Sequence, residues 1–160
     1  MIYILWLMMA FSEGPEPMDV KPGDPVLDID ITDLDQRSFK LYQVLDSSMC
    51  FILSLDCSHC TKALPIISQS FAANHHTAIL FVDAQEKVRG FLEEADLPRE
   101  IDVYLVRAEA LQPHRIKTLP ALLGYRHGHL KLAFHGPLDQ KKADWLLRMY
   151  EKKYRKPNQK

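Results

Sequence analysis

Apolar and polar positions along the chain fall into short blocks whose periods alternate between two and 3.6. Residues 26–31 set Val, Leu and Ile against Asp28 and Asp30, the period-two pattern of a half-buried strand. Thr32-Asp33-Leu34-Asp35 reads as a turn, and residues 38–42 as the returning arm of a hairpin. Residues 49–55 are almost unbroken apolar, as expected of a central strand covered on both faces. From Cys60 onward Leu64, Ile67 and Phe71 recur at helical spacing, so a helix begins at or just before Cys60, and Pro65 inside it should kink it. Residues 77–82 form a second buried strand ending at Asp83. Residues 85–96 read as a helix with Val88, Phe91, Leu92 and Ala95 on one face.

Residues 101–106 alternate as a short strand, and residues 108–116 make a helical connection. Pro120 precedes a strand over residues 121–125, which turns at His127-Gly128 and returns through residues 130–134. Asp139 suits the N-cap of a last helix whose apolar stripe is Ala143, Leu146, Leu147, Tyr150 and Tyr154. Strands alternating with helices, then a hairpin and a closing helix, predict an α/β domain with a central mixed sheet flanked by helices.

The ends differ from this middle. Residues 1–12 carry no charge and are almost wholly apolar, but at about 1.5 Å per residue they are too short to cross about 30 Å of hydrocarbon. Residues 1–13 therefore read as a signal-like or anchor-like segment, with a hydrophobic arm packed on the domain as the other reading. Residues 14–25, with Pro15, Pro17, Pro22 and Pro25 between acids, read as a linker. The folded domain is expected over residues 26–155, with a basic tail over 156–160. The cations near that end suit a solvated helix terminus, with a membrane-surface or partner patch as the other reading.

Composition narrows the classes. A chain of 160 residues, 47% apolar, is one domain with a sizeable core. A formal net charge of −1 argues against a general grip on nucleic acid. Three cysteines are too few for a disulfide framework. Cys50 sits in an apolar run and reads as a small buried hydrophobe, whereas Cys57 and Cys60 form a Cys-X-X-Cys pair.

Asp56-Cys57-Ser58-His59-Cys60 follows a buried strand and opens a helix. A helix N-terminus offers unpaired N–H groups and partial positive charge, so it stabilises a thiolate on Cys57. Cys60, one turn on, can close a disulfide, and His59, if protonated or donating a hydrogen bond, would favour the thiolate further. The competing readings are a zinc knuckle and an idle pair. Zinc normally takes four ligands, and neither a second Cys-X-X-Cys nor a His-X3-His occurs.

With these residues in place, the chain resembles the thioredoxin superfamily over roughly residues 23–154. Cys57 and Cys60 match its redox pair, and Pro65 its kink in the active-site helix. Thr118-Leu119-Pro120 matches its cis-proline loop, and Gly128 and Gly136 the glycines of its terminal hairpin. The N-terminal hairpin and the helix–strand insertion between Asp83 and Val106 look like the TlpA and redoxin group. The resemblance implies a thioredoxin fold with that hairpin and insertion. It implies disulfide exchange with protein dithiols or disulfides and with an upstream redox partner, without a dissociable cofactor. Cys57 and Cys60 would be catalytic and His59 would tune the thiolate, while Thr118, Leu119 and Pro120 would hold the substrate backbone. It further implies an extracytoplasmic, periplasmic-side protein, with the N-terminus as the candidate membrane tether.

Three positions depart from the family pattern: Asp56 where many relatives have Trp, Phe51 where thioredoxin keeps a buried acid, and Ala63 where cytochrome-maturation members carry Glu. The base assisting Cys60 is thus open, with Asp56 or a water as candidates. Histidine within the pair predicts a potential above thioredoxin at about −270 mV and below DsbA at about −120 mV. Two other readings use the same fold: a copper-binding, metal-delivery module with Cys57 and Cys60 as soft ligands, and a non-catalytic docking domain using the groove beside Pro120.

Overall fold

Residues 16–152 are described by the computed structural model; the apolar segment, the basic tail and Tyr154 lie outside them. Strand β3 (Met49–Leu53) is buried along its whole length and lies inside a seven-stranded sheet. It pairs in parallel with β4 (Thr77–Phe81), which pairs in parallel with β5 (Ile101–Val106). On the other side β3 runs antiparallel to β6 (Ala121–Arg126), whose hairpin partner is β7 (His129–His135). The far edge is the hairpin of β1 (Asp30–Thr32) and β2 (Ser38–Lys40), giving the order β2-β1-β5-β4-β3-β6-β7.

Side chains alternate across a strand, so β3 feeds two cores. Cys50 and Ile52 enter one with Ala78, Leu80, Leu123 and the residues flanking β1. Met49, Phe51 and Leu53 enter the other with Ile79, Phe81 and the helices. That second face is covered by α2 (Ser58–Ile66), α3 (Gln85–Glu94) and α5 (Gln140–Glu151) through Ala63, Leu64, Val88, Ala143, Leu146 and Tyr150. Two short helices, α1 (Leu41–Val44) and α4 (Ala108–Leu111), contribute Leu41 and Leu111 to the first core.

Several expectations shift in detail. The strand expected over residues 26–31 pairs only from Asp30, because β5 lies alongside Ile31 and Thr32 alone. Val26, Leu27 and Ile29 are nonetheless buried, so the apolar pattern records packing rather than ladder pairing. Pro65 has no N–H to give the helix, and the helix containing it passes into a π-helical turn, Ile67–Phe71, that carries Ile67 and Phe71 into the core. Asp139 caps α5 by accepting from Lys142 N–H at 2.7 Å. Gly124 has Leu132 and Tyr150 so close that an added Cβ would lie 3.0–3.1 Å from them, and those side chains would have to give by a few tenths of an ångström to admit a larger residue. In the segment before the domain, Met18 and Val20 pack on the first core, and Gly23 N–H donates to Leu130 O at 2.7 Å. No helix of the described residues is long and apolar enough to cross a membrane.

Candidate active site

The C-terminal ends of β3 and β4 place the site. The backbone leaves the sheet at Leu53 and tightens into a turn in which Cys57 N–H donates to Ser54 O at 3.2 Å. Cys57 then serves as the N-cap of α2, with Sγ accepting from Cys60 N–H at 3.2 Å. A sulfur in that position occupies the positive end of the helix and takes up one of its orphan donors, the arrangement that favours a thiolate. Cys57 is half-buried while Cys60 is 1% exposed, and both are free thiols.

The Thr118–Pro120 loop comes up against the same sulfur. Leu119 O lies 3.6 Å from Cys57 Sγ, in position to accept its S–H, and the Leu119–Pro120 peptide is cis. Pro120 is buried, whereas Thr118 and Leu119 are half-buried. The cysteine pair and the proline loop are therefore brought together from positions 62 residues apart. His59 is exposed on α2, and among the described residues no hydrogen bond joins it to Cys57.

The two thiols differ in environment. Burial pushes the Cys60 thiol up to about 12, reinforced by its hydrogen bond with Cys57 and opposed by the Ser54 backbone. Cys50 is likewise pushed up to about 12 by burial alone, and it belongs to the opposite face of the sheet. It cannot join the pair.

One group at the site escaped the sequence reading. Asp83, two residues past β4, has a side chain only 4% exposed and accepts from Leu55 N–H at 2.8 Å and from the Ser54 hydroxyl at 3.4 Å. Lys87 pairs with it at 3.1 Å and reaches Asp56 at 2.6 Å. Asp56, the acid nearest to Cys57 in sequence, is 84% exposed. Asp83 could have been found by aligning the two apolar runs as parallel neighbours, since each ends in a polar residue at the same edge. Among the described residues, no three His, Cys, Asp or Glu side chains are grouped as metal ligands.

No protein-family model and no curated protein matches the sequence. Solved structures do match. A thiol:disulfide interchange protein from Bacteroides sp. superposes with a TM-score of 0.67 at 15% identity, covering 86% of this chain and 95% of that one. A secreted Mycobacterium tuberculosis disulfide oxidoreductase, described as homologous to E. coli DsbE, gives 0.61 at 17% identity over 78% and 95%. A thiol peroxidase from Chromobacterium violaceum gives 0.62 at 14% identity over 82% and 90%. These likenesses establish the fold: the chain has the thioredoxin fold, with a mixed seven-stranded sheet flanked by helices.

Proposed function

We propose that the protein is a thiol–disulfide oxidoreductase that exchanges disulfides with partner proteins through Cys57 and Cys60. The observation that carries this reading is the asymmetry of the pair. Cys57 caps a helix N-terminus and is partly open to solvent, while Cys60 is buried behind it. A nucleophile needs access and a stabilised thiolate; a resolving thiol needs proximity and protection.

In the reducing direction, Cys57 thiolate attacks one sulfur of a partner disulfide. The Cys57–partner bond forms, the partner's S–S bond breaks, and the electron pair leaves on the other partner sulfur, which takes up a proton. Cys60 then loses its proton and attacks Cys57 Sγ. The intramolecular disulfide forms and the partner departs as a thiol. Two electrons and two protons pass from protein to partner, and the reverse sequence oxidises a dithiol. Leu119 and Pro120, against Cys57 Sγ, are the backbone on which a partner segment would lie, with Thr118 at its entrance. His59 belongs to the same helix turn as a tuning residue. Burial of Cys60 makes its deprotonation the demanding event, so resolution should quicken as pH rises toward about 12.

The secreted relative in fold and the uncharged residues 1–12 support an extracytoplasmic location on the periplasmic side, with the N-terminus as tether. The domain is taken as residues 26–155, preceded by the 14–25 linker. Replacement tests the assignment directly. Cys57→Ser should abolish turnover with a model disulfide substrate, whereas Cys60→Ser should accumulate mixed disulfides visible by mass spectrometry. Full exchange activity in Cys57→Ser would remove the reading.

A further inference from the structure

The site holds a buried charge that the exchange steps above do not use. Asp83 carries a carboxylate 4% exposed, held by Leu55 N–H at 2.8 Å and the Ser54 hydroxyl at 3.4 Å. A carboxylate taken from water needs a partner, and among the described residues the cation paired with it is Lys87 at 3.1 Å. Lys87 is shared: its ammonium also lies 2.6 Å from Asp56, the residue before Cys57. Two carboxylates therefore divide one ammonium, leaving net negative charge beside the thiols. Both acids hold the Lys87 ammonium above the usual lysine range, Asp56 most strongly.

Ser54 couples this charge to the pair. Its hydroxyl donates to Asp83 and accepts from Asp56 N–H at 3.2 Å, and its carbonyl accepts from Cys57 N–H at 3.2 Å. We infer that Asp83, within the disulfide-exchange reading on which this rests, is the positioning residue that sets the redox balance of the pair, and that Lys87 sets how strongly it acts. Asp83 fixes the Ser54–Cys57 turn and opposes a thiolate on Cys60. Cys60 has no hydrogen bond to Asp83, so the influence is a field rather than a proton transfer. Burial is the first cause of the raised Cys60 thiol, and the Asp83 charge adds to it.

The chemical consequence has a definite sign. In the reduced pair the charge sits on the sulfur at the helix N-terminus, Cys57, while the disulfide carries no charge. A negative charge one hydrogen-bonded residue away, through Ser54, penalises that thiolate and leaves the disulfide untouched, so it favours oxidised protein and reduced partner. Charged groups facing Asp83 are Lys87 from α3 and Asp56 from the turn. Asp30, Arg107 and Glu109 line, with Asp83, a surface cavity of about 920 Å³.

The test is a pair of substitutions whose effects should oppose. Asp83→Asn keeps an acceptor for Leu55 N–H and removes the charge. In a glutathione titration it should shift the equilibrium toward the dithiol by about tenfold, about 30 mV for a two-electron couple, and Cys60 should ionise at lower pH. Lys87→Met leaves the carboxylate unneutralised and should shift both quantities the other way. Asp83→Glu, which keeps the charge, should stay closer to the wild-type potential than Asp83→Asn does, and it serves if Asp83→Asn misfolds. A merely structural Asp83 would lower melting temperature in these variants without opposed shifts. Unchanged potentials, or shifts in one common direction, would overturn the inference. Failure of the underlying reading is distinct: the wild-type protein itself would form no reversible disulfide.

Discussion

The two ends of the central parallel strands close with similar residues and opposite outcomes. At their N-terminal end Ser48 Oγ lies 2.8 Å from His76 Nδ1, and His76 Nε2 lies 2.7 Å from Asp102 Oδ2. With Nε2–H given to Asp102, Nδ1 accepts from the Ser48 hydroxyl, and every group has a partner. The chain has the residue types of a hydrolytic triad, but Ser48 is 1% exposed and its backbone exchanges two hydrogen bonds with Tyr125. No substrate reaches that hydroxyl, so the chain serves to hold strand ends together. At the C-terminal end the polar groups are not balanced pairwise. One ammonium serves two carboxylates, one sulfur takes a helix donor, and one buried thiol waits behind it. The proposed exchange chemistry sits at the end where the pairing is incomplete.

The largest effect that would break this contrast is on turnover. Cys57→Ser should lose exchange entirely, while Ser48→Ala should keep it, as measured by reduction of a model disulfide; equal losses would erase the distinction between the ends. Next comes pH. Cys50 and Cys60 have thiols raised in the folded state to about 12, against about 8.5 in an unfolded chain. A raised thiol contributes stability that is complete below the unfolded value and lost as pH climbs through the folded one. The reduced protein should therefore weaken in urea melts from about pH 8.5 upward, and the oxidised protein, with Cys60 no longer titrating, should weaken less. Smaller still, His76→Gln should cost about 1 kcal/mol through lost hydrogen bonds and leave the reduction potential where it was. Asp139→Ala, removing the cap of α5, should also cost about 1 kcal/mol, with no change at the cysteines.

Much of the architecture is legible in the sequence because the core strands are dictated by local pattern. The apolar runs at β3 and β4 and the hairpin of β6 and β7 are legible as strands, and β5 begins and ends where its alternation does. Cys57 and Cys60 were legible because a strand, a short spacer and a helix start carry their meaning within a few residues. What was not legible is what pairing brings together. Helix α1, four residues long, continues a strand-like stretch and is set by Gln43 accepting from Lys40 N–H. Asp83 looks like an ordinary strand-end acid until β3 and β4 align in parallel and put it against Ser54 and Leu55. Asp56, the nearer candidate in sequence, turns outward to Lys87. His59, equally prominent in the motif, is left in solvent.

The central claim is most directly tested by the reduction potential of the Cys57–Cys60 pair, followed by glutathione-buffered titration with alkylation and mass spectrometry on protein lacking the first twelve residues. The account predicts a reversible two-electron couple between the thioredoxin value of about −270 mV and the DsbA value of about −120 mV. Absence of a reversible intramolecular disulfide would contradict it, and would turn attention to Cu(I) binding at the same two sulfurs.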